Sequence, residues 1–303
     1  MVNILISGYY GFDNIGDESI LRTLVSSLRE HIPDCSLTVL SHNPASTREK
    51  YGVEAVYRMS PMAILRAVKK CDMLISGGGS LLQDVTSSKS LHYYLSIIRC
   101  AEFFHKKVFI YSQGIGPIDR PGNRRAAAAA LKRADGIVVR DERSAALLEE
   151  IGIARDKVVI TADPVIRMKK PDGDVGAEIL RKAGVSLDGR LTVGWAIRER
   201  DTDSRFVKEL LRSIQMMKDK YNAQSVLIPF HYEEDGEVCR HIAAQLPDDT
   251  AVCLNEKYLS EDMLSIIGNM DLLVGVRLHS LIYAAIMGVP LIGISYDPKC
   301  TAF

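Results

Sequence analysis

Met270-Asp-Leu-Leu-Val-Gly-Val276 runs into Arg277-Leu-His-Ser280 and then into Leu281-Ile-Tyr-Ala-Ala285. The first piece is a short apolar run of the kind that forms a buried strand. The last piece is apolar and helix-forming. The polar tetrad between them therefore sits at a strand–helix junction, and a strand feeding a helix is half of a parallel βαβ unit. In open α/β sheets ligands bind at the carboxyl ends of the strands, which is where this tetrad falls. Arg277 brings a permanent charge. His279 is the residue type that exchanges protons near neutrality without special tuning. Helix N-termini favour anions, and Ser280 adds a hydroxyl there.

Outward from this junction the same alternation recurs. Strands are expected at Val2–Ser7, Leu37–Leu40, Asp72–Ser76, Val108–Ser112, Gly136–Val139 and Val158–Ile160. Helices are expected at Asp17–Glu30, Pro61–Lys70, Leu91–His105, Asn123–Ala134 and Asp141–Ile151, the first on the spacing of Ile20, Leu21, Leu24, Val25 and Leu28. Polar residues with Pro and Gly interrupt at Lys169-Lys170-Pro171-Asp172-Gly173-Asp174, and the alternation then restarts. The expected fold is α/β, with two doubly wound Rossmann-like domains facing across a cleft. They span 1–168 and 177–303, with 169–176 as linker.

Composition limits the function. The 303 residues exceed the usual size of one domain, and 47% hydrophobic content can fill two cores. Lys+Arg and Asp+Glu both count 38, so no basic excess points to nucleic acid. None of the six cysteines forms a CxxC pair or a zinc-like cluster, so no metal is expected, and small buried thiols in a reducing cytosol are. Met1–Ser7 reads as a first strand rather than a signal peptide, and no apolar run approaches the ~20 residues of a membrane span. A cytoplasmic protein is expected. The apolar stretch from Tyr93 to Phe104 fits core burial better than contact with lipid.

Three further strand ends carry glycine. Gly8-Tyr-Tyr-Gly11-Phe-Asp-Asn-Ile-Gly16-Asp17 follows the first strand, but its spacing is not GxGxxG, which argues against a dinucleotide cofactor. Asp17 reads either as a helix N-cap or as a carboxylate facing the cleft. Gly77-Gly78-Gly79-Ser80-Leu-Leu-Gln-Asp84 and Gln113-Gly-Ile-Gly-Pro117 follow two others. Such glycines imply that backbone approaches something closely, and exposed N–H groups there could cradle an anion. Arg140, at another strand end, could fork onto a phosphate or carboxylate, or could pair with an acid.

Together these segments resemble the polysaccharide pyruvyl transferase family. Arg140-Asp-Glu-Arg-Ser144, Asp163-Pro164 and Gly293-Ile-Ser-Tyr-Asp-Pro-Lys299 complete the pattern in the family's order, and the pattern looks most like the bacterial CsaB cell-surface-anchoring type. The resemblance implies a GT-B-like pair of domains. It implies transfer of the pyruvyl group of phosphoenolpyruvate, as co-substrate with no cofactor, onto hydroxyls 4 and 6 of an N-acetylmannosamine unit. The acceptor would be a lipid-linked precursor of a secondary cell wall polymer, met at the inner face of the membrane, and polymers of this kind anchor surface-layer proteins. Family chains continue beyond the Asp297-Pro298-Lys299 segment, so the second domain is expected to be incomplete at its C-terminal end. On this reading His279 is the acid, Arg277 and Arg140 clamp anions, and Asp17 is the base with Asp84 second. Gly16, Gly77, Gly78, Gly79, Gln113, Ser280 and Lys299 help seat substrate. Two rivals remain: a nucleotide-sugar glycosyltransferase on the same fold, and a saccharide-binding protein without catalysis.

Overall fold

The computed structural model describes residues 1–85, 87–198 and 204–295. The chain divides into two compact units, one formed by Met1–Phe12 and Asp17–Arg167, the other by Asp13–Gly16 and Met168–Phe303.

Unit 1 holds a seven-stranded parallel sheet: β1 (Val2–Tyr10), β2 (Cys35–Ser41), β3 (Glu54–Tyr57), β4 (Met73–Gly79), β5 (Lys107–Gln113), β6 (Gly136–Val139) and β7 (Val158–Ile160). Their order is β3-β2-β1-β4-β5-β6-β7. The order reverses between β1 and β4, where Ile4 lies opposite Met73 and Ser7 opposite Ser76. The helices are α1 (Ile15–His31), α2 (Pro44–Tyr51), α3 (Pro61–Lys70), α4 (Ser88–Phe103), α5 (Pro121–Leu131) and α6 (Glu142–Glu150). One core cluster joins Leu5, Leu74, Val108 and Ile110 to Leu91, Leu95 and Ile98 of α4; the other joins Ile4, Ile6 and Val39 to Leu21 and Leu24 of α1. Burying each such side chain contributes about 1.5–3 kcal/mol. The stretch weighed against lipid is thus core helix, although Phe103 at its end is exposed.

Unit 2 continues with α7 (Val175–Lys182), β8 (Thr192–Ala196), α8 (Arg205–Tyr221), β9 (Gln224–Leu227), α9 (Tyr232–Ala243), β10 (Ala251–Cys253), α10 (Ser260–Gly268), β11 (Leu272–Gly275), α11 (Leu278–Met287) and β12 (Leu291–Gly293). Its five parallel strands run β10-β9-β8-β11-β12, reversing between β8 and β11. All of β8 is buried, as suits a central parallel strand.

Three expectations need correction. The helix α7 begins inside the stretch taken as linker, its N-terminus capped by Asp174, which accepts from Ala177 N at 3.3 Å. The glycines Gly77 to Gly79 are not a loop: β4 runs through them, with Gly77 opposite Tyr111 and Gly79 opposite Gln113. What approaches them is the chain itself. Gly78 has φ +25°, and a side chain there would collide with Ile20 of α1; one at Gly79 would come within 2.7 Å of the Asp17 carboxylate. Lastly, α2 and β3 lie where no element was expected. Among the described residues no helix is long and apolar enough to cross a membrane.

Candidate functional site

In unit 2 the reversal point between β8 and β11 places Arg277 directly past the end of β11, where it precedes the first turn of α11. Its guanidinium lies side-on to Asp235, with Nε donating at 3.1 Å and Nη2 donating to the other carboxylate oxygen. Asp235, in the first turn of α9, is 1% exposed and also accepts from Phe230 N at 3.1 Å and His231 N at 2.8 Å. A buried carboxylate with four donors is a fixed anchor. It holds Arg277 in one pose and leaves Nη1 without a partner among the described residues. One edge of the Arg277 guanidinium is thus taken up by Asp235.

His279 follows two residues on, half-buried. Its ring lies against Gly16: a side chain built on Gly16 would meet Nδ1, with Cγ at 2.7 Å and Cε1 at 2.8 Å. The segment carrying Gly16 is tied into unit 2. Ile15 N donates to Phe230 O at 2.9 Å, Asn14 bridges His231, and Asp13 pairs with Lys257 at 2.7 Å. Asn14 Oδ1 accepts from Gly16 N at 3.1 Å, which is the capping interaction expected of Asp17. Asp17 instead sits in the first turn of α1. Gly16→Ala is expected to displace the His279 ring. It should lower turnover more than tenfold while lowering the free energy of unfolding by only about 1–3 kcal/mol, as overpacking does. Paired kinetics and urea unfolding check this.

Several expected ligand contacts are internal instead. Ser280 is fully buried, and its hydroxyl donates to Arg277 O at 2.7 Å, closing the first turn of α11. Gln113 is also fully buried and donates from Nε2 to Ser76 O at 2.9 Å and Ser76 Oγ at 2.8 Å. In unit 1, Arg140 donates to Asp163 at 2.9 Å and to Ser80 Oγ at 3.0 Å, with Asp141 3.7 Å from Nε. Its guanidinium is thus held at the strand ends by Asp163, Ser80 and the nearby Asp141 charge. Ser144 Oγ accepts from Ile115 N at 2.8 Å and donates to Asp141 at 2.7 Å, joining two of the motif segments. Lys299 lies outside the described residues.

Asp84 is likewise engaged within unit 1. Its carboxylate accepts from Asp119 N at 2.9 Å, Arg120 N at 3.0 Å and Asn123 Nδ2 at 2.8 Å, holding the start of α5. Burial pushes its pKa up, but these bonds and the Arg120 charge outweigh burial and hold it below the usual carboxylate value. A depressed carboxylate stabilises the fold fully above the unfolded pKa of about 3.9, and the contribution is lost as pH falls through the lower folded value. Asp84→Ala should cost about 3 kcal/mol near pH 7 and less below pH 3, as read from denaturant midpoints.

Two residues that matter here were not singled out by sequence. Asp235 reads as one of three acids in a helix's first turn. Arg58, at the end of β3, is 7% exposed and stands among aromatic rings. Among the described residues no three His, Cys, Asp or Glu side chains group as metal ligands.

The family model for polysaccharide pyruvyl transferases matches residues 14–298. The chain belongs to the polysaccharide pyruvyl transferase family. It is therefore a transferase, and the family supports pyruvyl transfer onto a polysaccharide with a sugar as acceptor. The amylovoran biosynthesis protein AmsJ of Erwinia amylovora is 21% identical across 98% of this chain and 84% of its own length. Among solved structures, Anabaena Alr3699/HepE in complex with UDP-glucose superimposes with a TM-score of 0.64 at 12% identity, covering 97% of this chain and 80% of that one. The UDP-GlcNAc 2-epimerase from Neisseria meningitidis bound to UDP-GlcNAc gives 0.63 at 16%, covering 100% and 85%. These likenesses establish the GT-B-like fold of this pyruvyl transferase family member and nothing about its ligands.

Proposed function

We propose that the protein transfers the pyruvyl group of phosphoenolpyruvate onto hydroxyls 4 and 6 of an N-acetylmannosamine unit. The acceptor would be a lipid-carried secondary cell wall polymer precursor at the inner membrane face, as in the CsaB type. The observation that carries the reading is the fixed Arg277–Asp235 pair beside His279 at the reversal point of the second sheet.

The reaction needs a proton on the methylene carbon of the enol ester, which makes the phosphate-bearing carbon oxocarbenium-like. One sugar hydroxyl adds to that carbon, the carbon–oxygen bond to phosphate breaks, and the second hydroxyl adds to close the ketal. Of the two hydroxyl protons, one ends in the new methyl group and the other on the departing phosphate. His279 supplies the proton to carbon. Arg277 offers its free Nη1 edge to the carboxylate or phosphate of the donor. Asp17 is the proposed base.

The test supplies phosphoenolpyruvate with methyl N-acetylmannosaminide or methyl galactoside and measures phosphate release and the mass of the product. Phosphate released together with a ketal-bearing mannosaminide supports the full reading. Ketal on galactoside alone overturns the acceptor assignment. No phosphate, with thermal stabilisation by nucleotide sugars, favours the glycosyltransferase.

A further inference from the structure

Unit 1 carries an aromatic stack that none of this chemistry uses. The rings of Tyr9 and Phe12 are stacked at 4.0 Å and 4°, and Phe12 and His42 at 4.4 Å and 11°. His42 is exposed and meets Tyr57, itself 44% exposed, at 6.2 Å and 46°. The stack thus rises from β1 along the carboxyl ends of β2 and β3 and opens into solvent as a wedge of two rings. Behind it lies Arg58. Its guanidinium carbon is 4.5 Å from the Tyr93 ring centre, 5.2 Å from Phe12, 5.4 Å from Tyr94 and 5.9 Å from Tyr9. It donates to Tyr94 OH at 3.2 Å and Gly8 O at 3.4 Å, while Tyr93 OH donates to Arg58 O at 2.8 Å. Among the described residues no carboxylate pairs with it.

A buried cation is costly unless compensated, and here ring faces and carbonyl or phenol oxygens supply the compensation. The result is a rigid set of rings at the sheet edge where this fold binds ligands. Rigid aromatics lose little entropy on binding. The flat C–H face of a pyranose is the surface that complements an exposed ring beside hydroxyl and imidazole groups.

We propose that the Tyr9–Phe12–His42–Tyr57 stack, locked by Arg58, is a stacking platform for a sugar ring of the acceptor. The proposal rests on the acceptor being a saccharide. His42 and Tyr57 touch the sugar, and Arg58 is a positioning residue.

The test compares wild type with His42→Ala, Tyr57→Ala and, as control, Phe103→Ala, whose ring is 76% exposed on α4. With methyl N-acetylmannosaminide, the first two should raise the acceptor KM about three- to tenfold, the effect of one aromatic contact. Both kcat and the KM for phosphoenolpyruvate should stay within about twofold, and the control should change nothing. Saturation-transfer NMR should show methyl N-acetylmannosaminide and methyl galactoside contacting wild type, with the signal lost in His42→Ala. An active wild type whose acceptor KM is untouched by both substitutions overturns the platform, as does saturation transfer to UMP but not to either glycoside. A wild type that releases no phosphate sinks the catalytic reading instead, and the glycoside NMR then decides the platform alone.

Discussion

His279→Ala is expected to lower kcat by about 10²–10⁴-fold, the usual contribution of a positioned general acid, with the unfolding midpoint nearly unchanged. His279 is the group proposed to protonate the methylene carbon; Arg277 is a cation, and Ser280 has its hydroxyl spent on Arg277 O. His279→Gln keeps a polar side chain of similar reach but cannot exchange a proton near neutrality, so it should fall in the same range. If it retained turnover within threefold of wild type, His279 would be reduced to a hydrogen-bonding role. Loss of structure would appear in the far-UV spectrum and the unfolding midpoint, which separates misfolding from lost chemistry.

How much of this was legible beforehand depended on distance along the chain. The elements Pro61–Lys70, Gly136–Val139 and Val158–Ile160 were readable with their observed bounds because their signals are local: short apolar runs or apolar spacing set off by turn-forming and polar residues. Helix α2 escaped because Pro-Ala-Ser-Thr-Arg-Glu-Lys-Tyr has no apolar face, and only Thr47 and Tyr51 of it are buried. Strand β3 escaped because Glu-Ala-Val-Tyr is a short edge strand with one buried position. The site followed the same rule. The strand–helix junction at Arg277 was readable because the apolar strand and the apolar helix flank it directly in the chain. The glycines were correctly read as places of close approach, but what approaches Gly78 is Ile20 of α1, far away in sequence. The hydrogen bonds that occupy Arg140 and Asp84 were not legible because they come from residues 23 to 60 positions away in the chain. Arg58 shows the same limit: its rings come from positions 9, 12, 93 and 94. Folding can consume a side chain's hydrogen-bonding capacity without leaving any local mark in the sequence.

The Arg277–Asp235 pair gives the largest expected loss of stability, and the loss should be unequal between the partners. Asp235→Ala strands a guanidinium that is 14% exposed and also leaves Phe230 N and His231 N without their acceptor. Removing one member of a buried pair costs about 3–5 kcal/mol. The transition of unit 2 should therefore fall by roughly 10 °C. Arg277→Met should cost less, since the carboxylate left behind keeps two backbone donors. The double variant Asp235→Ala/Arg277→Met removes the stranded charge, so it should recover part of the stability lost in Asp235→Ala. It should recover no turnover, because the guanidinium proposed to hold the donor's anion is gone. Differential scanning calorimetry and phosphate release on the four members of the cycle measure both quantities. Recovery of stability without turnover would mean that Asp235 serves the fold and, through Arg277, the chemistry. Full activity in the double variant would mean that Arg277 contributes only to the fold, and the donor's anion would then have to be held elsewhere.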